Sequence, residues 1–315
     1  MIDEIEKIPL GSTDMRICPL GIGAWAWGDR LFWGYGKDYQ STDIEAAARL
    51  CLESGIDFYD TAEMYGRGQS ERLTGQYIAL SGLPVVIATK FFPFPWRLRK
   101  QSLINALKAS LGRLGMEAVD LYQIHWPYPP VSIETWADAL ADAVEAGLTK
   151  AVGVSNYNAE QMRRAHAVLV KRGILLASNQ VEYHLLNRKV EKNGLLALCK
   201  ELNISLIAYS PLAQGLLTGK YTPENPLPGV RGRRYGQKIV AKTQTLVGLM
   251  REIGENHSGK TPSQVALNWV MAKGAIPIPG VKNTRQVEDN LGALGWKLTE
   301  EEVAALDTLS EADSA

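Results

Sequence analysis

A carboxylate and a phenol lie near each other in the first quarter of the chain, at a spacing that suits proton transfer. Asp60 precedes Tyr65 by five residues. The run 56–60 predicts a short strand and 70–80 a helix, so both residues fall in a strand-to-helix loop. In a parallel α/β protein such loops lie at the carboxyl edge of the sheet, where active sites are built. A phenol titrates near pH ~10, so we expect Tyr65 to act as an acid near neutrality only beside a cation.

The elements that must position these residues alternate steadily along the chain. A small hairpin is predicted at 7–18, and a long loop rich in glycine and proline at 212–236. Strands are predicted at 20–27, 56–60, 85–90, 119–125, 151–155, 177–182, 205–210 and 275–279. Helices are predicted at 41–53, 70–80, 100–114, 132–146, 159–171, 191–202, 239–256, 262–273, 284–293 and 300–309.

Strict alternation of mostly apolar strands with helices predicts an α/β protein with a parallel sheet. Eight such units over about 280 residues fit a closed (β/α)8 TIM barrel, with the hairpin before it and extra helices at its C-terminal end. We expect one barrel domain over residues 1–315, although the length also allows two ordinary domains. The alternative fold is an open doubly wound sheet, which usually carries a G-x-G-x-x-G turn after its first strand. The stretch 21–28 lacks the third glycine at that spacing.

Composition argues against several classes of partner. Lys plus Arg and Asp plus Glu both number 34, whereas a protein that binds nucleic acid or an anionic membrane is usually more basic. We therefore expect neither of these partners. The chain lacks the run of ~20 apolar residues that spans a membrane, and its N-terminus lacks the apolar run of a signal peptide. We expect a monomer or weak oligomer in the cytoplasm, or in a plastid if a transit peptide has been removed.

The cysteines and histidines do not form a metal-binding pattern. Cys18, Cys51 and Cys199 are isolated and no C-x-x-C occurs, which favours reduced thiols over catalytic or metal-binding cysteines. Neither H-x-x-x-H nor H-E-x-x-H occurs. We therefore expect no bound metal.

The predicted strands have apolar interiors but end on polar and ionisable residues. Lys90 ends the strand that follows the one carrying Asp60, and His125 ends the next. Strand ends of a barrel meet at one rim, so we expect a Lys90–Asp60 pair beneath Tyr65. The lysine charge would favour the phenolate and lower the pKa of Tyr65, while His125 would orient a carbonyl oxygen. Such a set polarises C=O and protonates the resulting alkoxide, but the reductant must come from a cofactor.

Motifs in nearly the whole chain resemble those of the aldo/keto reductases. They are DFYDTAEMYG at 57–66, ATK at 88–90, QIHW at 123–126, GVSN at 153–156, SNQ at 178–180, YSPL at 209–212, PGVK at 279–282 and DN at 289–290. The stretches 23–28, 95–97 and 292–296 most resemble the branch of cyanobacteria and plant chloroplasts, which includes pyridoxal-reductase-like members. The resemblance implies a (β/α)8 barrel that binds NADPH across its rim without a Rossmann fold.

The same resemblance implies an NADP-dependent oxidoreductase that reduces a small aldehyde or ketone to an alcohol. In that reaction Tyr65 is the general acid, Lys90 and Asp60 tune it, and His125 orients the carbonyl. The alternative function is an NADP(H)-binding regulatory subunit with little turnover, like the potassium-channel β subunits. No stretch of this chain resembles an added docking segment, which favours the enzyme.

The resemblance also implies cofactor-binding residues, mostly in the second half of the chain. Ser155, Asn156 and Gln180 would hold the nicotinamide carboxamide, and Tyr209 would stack on the ring, although Tyr209 also fits an ordinary core position. The backbone at 210–216 would meet the pyrophosphate. The remaining expected cofactor-binding residues are Gly23, Trp25, Asp60, Ser210, Pro211, Leu212, Gln214, Gly215, Leu216, Lys220, Arg231, Gly280, Lys282, Gln286, Asp289 and Asn290.

Lys282 and Arg285 lie at the start of a predicted helix, where an anion is favoured. This argues for a 2′-phosphate and hence for NADP over NAD. Many family members place a Lys-Ser pair and a later Arg here, and this chain instead resembles the branch shared with channel β subunits and bacterial aldo/keto reductases. The basic loop 222–234 either folds over the cofactor or is simply solvated.

Aromatic residues in the predicted rim loops suggest a substrate pocket. Trp27, Trp33, Trp96 and Trp126 would line an apolar or aromatic pocket, or else pack in the interior as tryptophan often does.

Overall fold

The structure, a computed structural model, describes residues 5–227 and 229–312; the side chains at 229–231, 233–235 and 312 are not described. Within the described residues, no helix combines the length and apolar character needed to cross a membrane.

Eight parallel strands form one sheet in sequential order, preceded by a separate antiparallel hairpin of β1 (Ile8–Pro9) and β2 (Arg16–Ile17). The eight are β3 (Ile22–Gly23), β4 (Phe58–Asp60), β5 (Val86–Phe91), β6 (Val119–Ile124), β7 (Thr149–Ser155), β8 (Leu176–Glu182), β9 (Ser205–Tyr209) and β10 (Ile276–Ile278). The first and last strands approach each other, because Gly23 N donates a hydrogen bond to Pro279 O at 3.0 Å. The sheet is therefore a nearly closed barrel. The predicted TIM barrel is confirmed, and the open doubly wound sheet is wrong.

Helices lie between the strands and continue after the last one. They are α1 (Ser41–Glu53), α2 (Gln69–Tyr77), α3 (Lys100–Leu114), α4 (Ile133–Glu145), α5 (Ala159–Val170), α6 (Lys189–Lys192), α7 (Leu195–Glu201), α8 (Gly229–Asn256), α9 (Pro262–Ala272), α10 (Thr284–Leu291) and α11 (Glu300–Ala312). Short 3₁₀ turns occur at Ala24–Ala26, Tyr65–Gly68, Ala79–Ser81 and Ala213–Thr218.

Helix α3 illustrates how the sequence pattern produces these elements. Leu103, Leu107, Leu111 and Leu114 recur at helical spacing and are buried against the sheet side of the helix. Gly115 then adopts a left-handed backbone (φ 71°), which glycine does without a Cβ penalty, so the helix ends there. The predicted bounds of this helix, 100–114, are confirmed.

The interior of the barrel is arranged in layers, because alternate residues of a strand point to the same side. The lower layer is apolar and includes Phe58, Ala88, Leu121 and Ile207. Two positions farther along the same four strands lie Asp60, Lys90, Gln123 and Tyr209. An apolar floor therefore supports a polar layer at the carboxyl ends of the strands.

The hairpin closes the opposite end of the barrel. Leu10 and Ile17 are fully buried and pack against the apolar layer. Gly11, between the two hairpin strands, donates its backbone N–H to Ser205 Oγ at 2.7 Å. A Cβ at Gly11 would lie 2.2 Å from Ala177 O, so only glycine allows this close approach. The polar layer consequently opens to solvent at one end of the barrel.

The first barrel strand is shorter than predicted. The strand expected at 20–27 covers Ile22–Gly23, and the 3₁₀ turn Ala24–Ala26 follows at once. A Cβ at Gly23 would lie 2.9 Å from Ile278 O, so the close contact that joins the barrel requires glycine here. The turn directs Trp27 inward, where it is fully buried and its Nε1 donates to Val281 O at 3.0 Å.

Three predicted elements are divided or displaced. The helices expected at 70–80 and 191–202 are each broken into two short pieces. The loop expected at 212–236 contains the turn Ala213–Thr218, and α8 begins within it, before the predicted start at 239. Gly236 (φ 63°, ψ 164°) interrupts the helical geometry of α8. The conformational freedom of glycine explains why the sequence pattern predicts a loop around Gly236.

The buried hairpin generates a stability prediction. We expect Leu10→Ala to lower the free energy of unfolding by about 2–5 kcal/mol, because it leaves a cavity beneath the barrel. Urea denaturation followed by circular dichroism measures the change. Leu80→Ala is the matched control, since Leu80 is 70% exposed and its truncation should change stability by less than about 0.5 kcal/mol. Equal effects of the two substitutions would contradict the role of the hairpin.

Candidate active site

A groove of about 820 Å³ opens above the polar layer, at the carboxyl ends of the barrel strands. This volume lies within the usual range of about 300–1,000 Å³ for small-ligand sites. All the residues expected to bind a cofactor line it, apart from two. The two exceptions are Leu216, whose side chain is buried, and Arg231, whose side chain lies outside the described residues.

A buried ion pair lies beneath the groove. The side chains of Lys90 and Asp60 are 0% and 2% exposed, and Lys90 Nζ donates to Asp60 Oδ1. The same ammonium donates to Thr61 O at 2.8 Å and to Tyr65 Oη at 3.3 Å. Burial lowers the pKa of Lys90, and the Asp60 carboxylate opposes that shift. Since a protonated lysine has no acceptor, Tyr65 accepts this bond and its own O–H is left to face the groove.

The electrostatics at Tyr65 differ from the prediction. Burial, with a further contribution from the Asp60 carboxylate, raises the pKa of Tyr65 well above its ordinary value. The expected lowering by Lys90 is therefore wrong. The physical reason is that Lys90 is paired with Asp60, so the phenol experiences the charges of both groups together with its own desolvation. Tyr65 is thus held in its protonated form across the neutral pH range.

His125 faces Tyr65 across the groove. Its ring centroid lies 5.7 Å from that of Tyr65, at an interplanar angle of 83°. Its backbone N–H donates to Phe91 O at 2.9 Å, which fixes the start of the loop after β6. Burial, and then the positive charge of Lys90, lower the pKa of His125 well below its ordinary value. The ring is therefore neutral and has one N–H donor.

Two amides hold the second oxygen of Asp60. Gln180 Nε2 donates to Asp60 Oδ2 at 2.8 Å and Gln123 Nε2 donates to the same atom at 3.1 Å. Gln123 was not among the predicted site residues, although the sequence carried a signal for it. Its position two residues after Leu121, on the side of β6 that faces the interior, predicts a place in the polar layer.

A hydrogen-bond network fixes the residues at the ends of β7, β8 and β9. Asn156 Nδ2 donates to His125 O and to Ser155 Oγ, both at 3.0 Å, and Asn156 Oδ1 accepts from the Tyr209 hydroxyl at 3.0 Å. Ser155 Oγ donates to Gln180 O at 2.8 Å. Asn156 has a left-handed backbone (φ 63°), a strained conformation that is typical of functional sites.

The turn after β9 has an unusual backbone. Ser210, Ala213 and Gln214 have φ values of 52°, 48° and 55°; Ser210 and Gln214 line the groove, and Ala213 is buried. Residues other than glycine rarely adopt this conformation. Turns of this kind direct backbone N–H groups into a concavity that suits an anion.

A second polar region lies at the start of α10. Asn283 caps this helix, its side chain accepting from Gln286 N at 3.1 Å, and Lys282 N donates to Gln286 Oε1 at 2.8 Å. Lys282 Nζ donates to Trp33 O at 3.2 Å and lies 4.7 Å from the centre of the Trp33 ring. Asn290 is 3% exposed, and its Nδ2 has no hydrogen-bond partner within the described chain. This part of the groove thus combines a cation with an unsatisfied buried donor.

The predicted substrate tryptophans divide into two pairs. Trp33 and Trp126 line the groove. Trp27 does not, because it is fully buried behind the 3₁₀ turn, and the substrate contact predicted for it is wrong. Trp96 is 73% exposed and stacks on Phe94 outside the groove, with ring centroids 4.6 Å apart. The sequence predicted that Trp27 and Trp96 lie in loops but could not show which way their side chains point.

An ion pair that the sequence analysis missed joins the loops after β4 and β5. Arg97 donates to both oxygens of Glu63, with Arg97 Nη2 3.0 Å from Glu63 Oε2. Arg97 Nη1 also donates to Phe92 O at 2.9 Å, and Phe92 N donates to Glu63 Oε1 at 2.7 Å. Phe92 lines the groove beside His125, with ring centroids 5.7 Å apart. The pair therefore fixes the loop of Tyr65 against the loop of Phe92.

The cysteines lie away from this chemistry. Cys18, Cys51 and Cys199 are buried and free, and burial raises the pKa of each thiol to about 12. Such thiols are not ionised near neutrality and are poor nucleophiles. In residues 5–227 and 229–312, no group of three or more His, Cys, Asp or Glu side chains could hold a metal ion.

Comparisons with known proteins assign the chain to a family. The model of the aldo/keto reductase family matches residues 19–311. The chain belongs to the aldo/keto reductase family. It is 43% identical to the chloroplastic pyridoxal reductase of Arabidopsis thaliana, over 96% of this chain and 85% of that protein. It is 32% identical to the aldo-keto reductase YhdN of Bacillus subtilis, over 98% of this chain and 94% of that protein.

Solved structures show the same likeness. The glycerol dehydrogenase AKR11B4 from Gluconobacter oxydans superimposes with a TM-score of 0.86 at 27% identity, covering 98% of this chain and 95% of that one. The thermostable aldo-keto reductase Tm1743, solved with the inhibitor epalrestat, gives a TM-score of 0.76 at 30% identity. The match covers 96% of this chain and 99% of that one.

The groove of this aldo/keto reductase fits the nicotinamide dinucleotides, NAD(P)H, that the family generally uses. The left-handed turn after β9 is suited to a pyrophosphate. The unsatisfied Nδ2 of Asn290 and the ammonium of Lys282 belong to the part of the lining formed by α10 and the residues before it. The hydroxyl of Tyr209 is fixed by Asn156, and Tyr209 also lines the groove. A cation, a left-handed turn and an aromatic ring thus line one groove.

The lowered pKa of His125 generates a prediction. Because a lowered pKa delays protonation until the pH falls well below ~6.5, we expect the His125 ring signals to remain constant between about pH 6 and pH 8. A ¹H–¹³C NMR titration of the four histidines measures this. His125→Asn assigns the resonance by its loss. A His125 resonance that titrates near pH ~6.5 would show that the ring is not desolvated as described.

Proposed function

We propose that this aldo/keto reductase reduces an aldehyde or ketone to an alcohol with NADPH, and that Tyr65 donates the proton. The observation that carries the proposal is the hydrogen bond from Lys90 to Tyr65 Oη, 3.3 Å long. Its direction leaves the phenolic O–H as a donor at the base of a groove that suits a dinucleotide. Asp60 keeps the ammonium charged and in place.

NADPH, when bound, would supply hydride to the carbonyl carbon. Ser155, Asn156 and Gln180 would hold the carboxamide of its nicotinamide, and Tyr209 would lie against the ring. The support is the hydrogen-bond network that these four residues share in the lining of the groove. Because that network fixes the Tyr209 ring through its hydroxyl, only one face of a ring stacked on it would be open to the substrate.

His125 and Tyr65 would act on the carbonyl oxygen. A neutral His125 donates one hydrogen bond and polarises the C=O without competing for the proton. Tyr65 then protonates the oxygen as negative charge develops there. An alkoxide is a stronger base than a phenolate, so this transfer remains favourable even though the pKa of Tyr65 is raised. The ammonium of Lys90 stabilises the phenolate that remains.

The rim of the groove suits a flat aromatic aldehyde. Trp25 lies 5.5 Å from Trp33 and 6.1 Å from Tyr65 between ring centroids. On the other side, Phe92 and Trp126 line the groove near His125. Aromatic pairs at such distances gain about 0.5–1.5 kcal/mol beyond area burial. The Arabidopsis relative is named a pyridoxal reductase, so we propose pyridoxal-like aldehydes as the first candidates.

We propose further that the whole chain acts as one barrel domain on small molecules, as a monomer or weak oligomer. The support is that one groove collects residues from β3 to α10. The proposed setting is the cytoplasm, or a plastid if a transit peptide has been removed; the chloroplastic Arabidopsis relative supports the second.

Tyr65→Phe tests the proton donor. We expect kcat for aldehyde reduction to fall by at least about 10²-fold, because the general acid is lost. The dissociation constant for NADPH, measured by fluorescence titration, should remain within about threefold, since the phenol contacts the carbonyl rather than the dinucleotide. Steady-state kinetics with an aldehyde panel that includes pyridoxal measure the first quantity.

Tyr128→Phe is the control, because Tyr128 lies at the rim, stacked on Trp126, and should retain wild-type kcat. Substantial turnover by Tyr65→Phe would refute the general-acid assignment. Tight NADPH binding by the wild-type protein without turnover of any aldehyde would favour a regulatory subunit instead.

Lys282→Met tests the preference for NADP. We expect the dissociation constant for NADPH to rise by about 10- to 100-fold, the range of a lost charge-assisted hydrogen bond. The constant for NADH should be unchanged, because NADH lacks the 2′-phosphate. Lys297→Met is the control, since Lys297 is exposed and does not line the groove. Equal weakening of both nucleotides would assign Lys282 to another part of the cofactor.

A further inference from the structure

We propose that Gln123, supported by Ser178, is a positioning residue that holds one oxygen of Asp60 so that the other stays on Lys90. The inference rests on the proposed function, because it concerns the group that orients the proton donor. Gln123 acts through Asp60 and lies below the groove, so it contacts neither a carbonyl substrate nor a dinucleotide.

The geometry places Gln123 directly beside the ion pair. It is paired in register with Lys90 across β5 and β6, so both side chains point into the barrel. Gln123 is fully buried, and its Nε2 lies 3.1 Å from Asp60 Oδ2. Lys90 binds the other oxygen, Oδ1. The carboxylate is thus held at both ends by donors from different strands.

The barrel interior is built to accommodate this amide. A buried amide is costly unless both of its ends are hydrogen-bonded. Gln123 Oε1 accepts from Ser178 Oγ at 3.3 Å. A Cβ at Gly153 would lie 2.3 Å from Ser178 Oγ and 3.0 Å from Gln123 Cγ. The glycine on β7 therefore provides the space in which Gln123 and Ser178 meet.

The support from Gln180 does not make Gln123 redundant. Gln180 Nε2 also reaches Asp60 Oδ2, at 2.8 Å, but Gln180 lines the groove and has a proposed contact with the nicotinamide. Gln123 is the donor to Asp60 Oδ2 that lies wholly in the interior. Without it, Asp60 Oδ2 keeps only the amide of Gln180, and we expect the carboxylate to rotate about Cβ–Cγ and Lys90 to leave its position 3.3 Å from Tyr65 Oη.

Gln123→Met tests the inference, since methionine retains the length of the side chain but has no donor. We expect kcat to fall about 10-fold, the low end for a lost hydrogen bond to a charged group. KM and the NADPH dissociation constant should remain within twofold. The loss should therefore appear in kcat and not in binding, a split that a general loss of stability would not produce.

Two further variants separate positioning from general loss of stability. Ser178→Ala leaves Gln123 in place but removes the partner of its amide oxygen, and we expect a fall in kcat of about threefold with KM again unchanged. Thr149→Val is the control. Thr149 is buried at the far end of neighbouring strand β7, where its hydroxyl donates to Ala151 O, so this substitution should affect the melting temperature without changing kcat.

A readout independent of turnover completes the test. Crystal structures of the wild type and Gln123→Met should differ in the orientation of the Asp60 carboxylate relative to Lys90. An unchanged carboxylate orientation, or an unchanged kcat in a folded Gln123→Met protein, would overturn the proposal. If Gln123→Met does not fold, Ser178→Ala decides by the same two criteria. A wild-type protein without turnover would refute the proposed function, whereas the comparison of carboxylate orientation would still decide the role of Gln123.

Discussion

The buried ion pair of Lys90 and Asp60 is the interaction on which the rest of the site depends. Removing two charges from water costs several kcal/mol per ion in real proteins, so the pair persists only with further hydrogen bonds. Thr61 O and Tyr65 Oη receive the remaining Lys90 contacts, and amides from β6 and β8 satisfy Asp60. The arrangement orients a phenol and keeps it protonated, which is the state an acid requires.

The barrel can contain such an ion pair because an apolar layer of side chains lies beneath the polar layer. Phe58 and Ala88 lie one layer below Asp60 and Lys90 on the same strands, and the hairpin residue Leu10 closes the far end. The charged groups of Asp60 and Lys90 therefore lie above an apolar layer and below the groove. A parallel strand contributes a core residue and a site residue only two positions apart, so stability and chemistry are specified by the same strands.

Much of the fold could be predicted, because it depends on local patterns. Apolar strands, helical periodicity and stop signals such as Gly115 repeat along the chain, and they predicted the barrel and the bounds of α3. The failures occur where tertiary contacts override the local pattern. The strand expected at 20–27 ends at Gly23, where a 3₁₀ turn follows and the barrel closes through a contact with Ile278 O that is too short for a Cβ. The same turn buries Trp27, which the sequence had suggested for the substrate pocket.

The sequence by itself determined which groups are available and that they meet, since Asp60, Lys90 and His125 end parallel strands that share a rim. The tertiary structure decided what these groups can do. Hydrogen-bond direction and desolvation depend on the whole surroundings of an atom, so neither the raised pKa of Tyr65 nor the neutral state of His125 follows from residue spacing. The second oxygen of Asp60 likewise acquired its partner Gln123 only through the register of neighbouring strands.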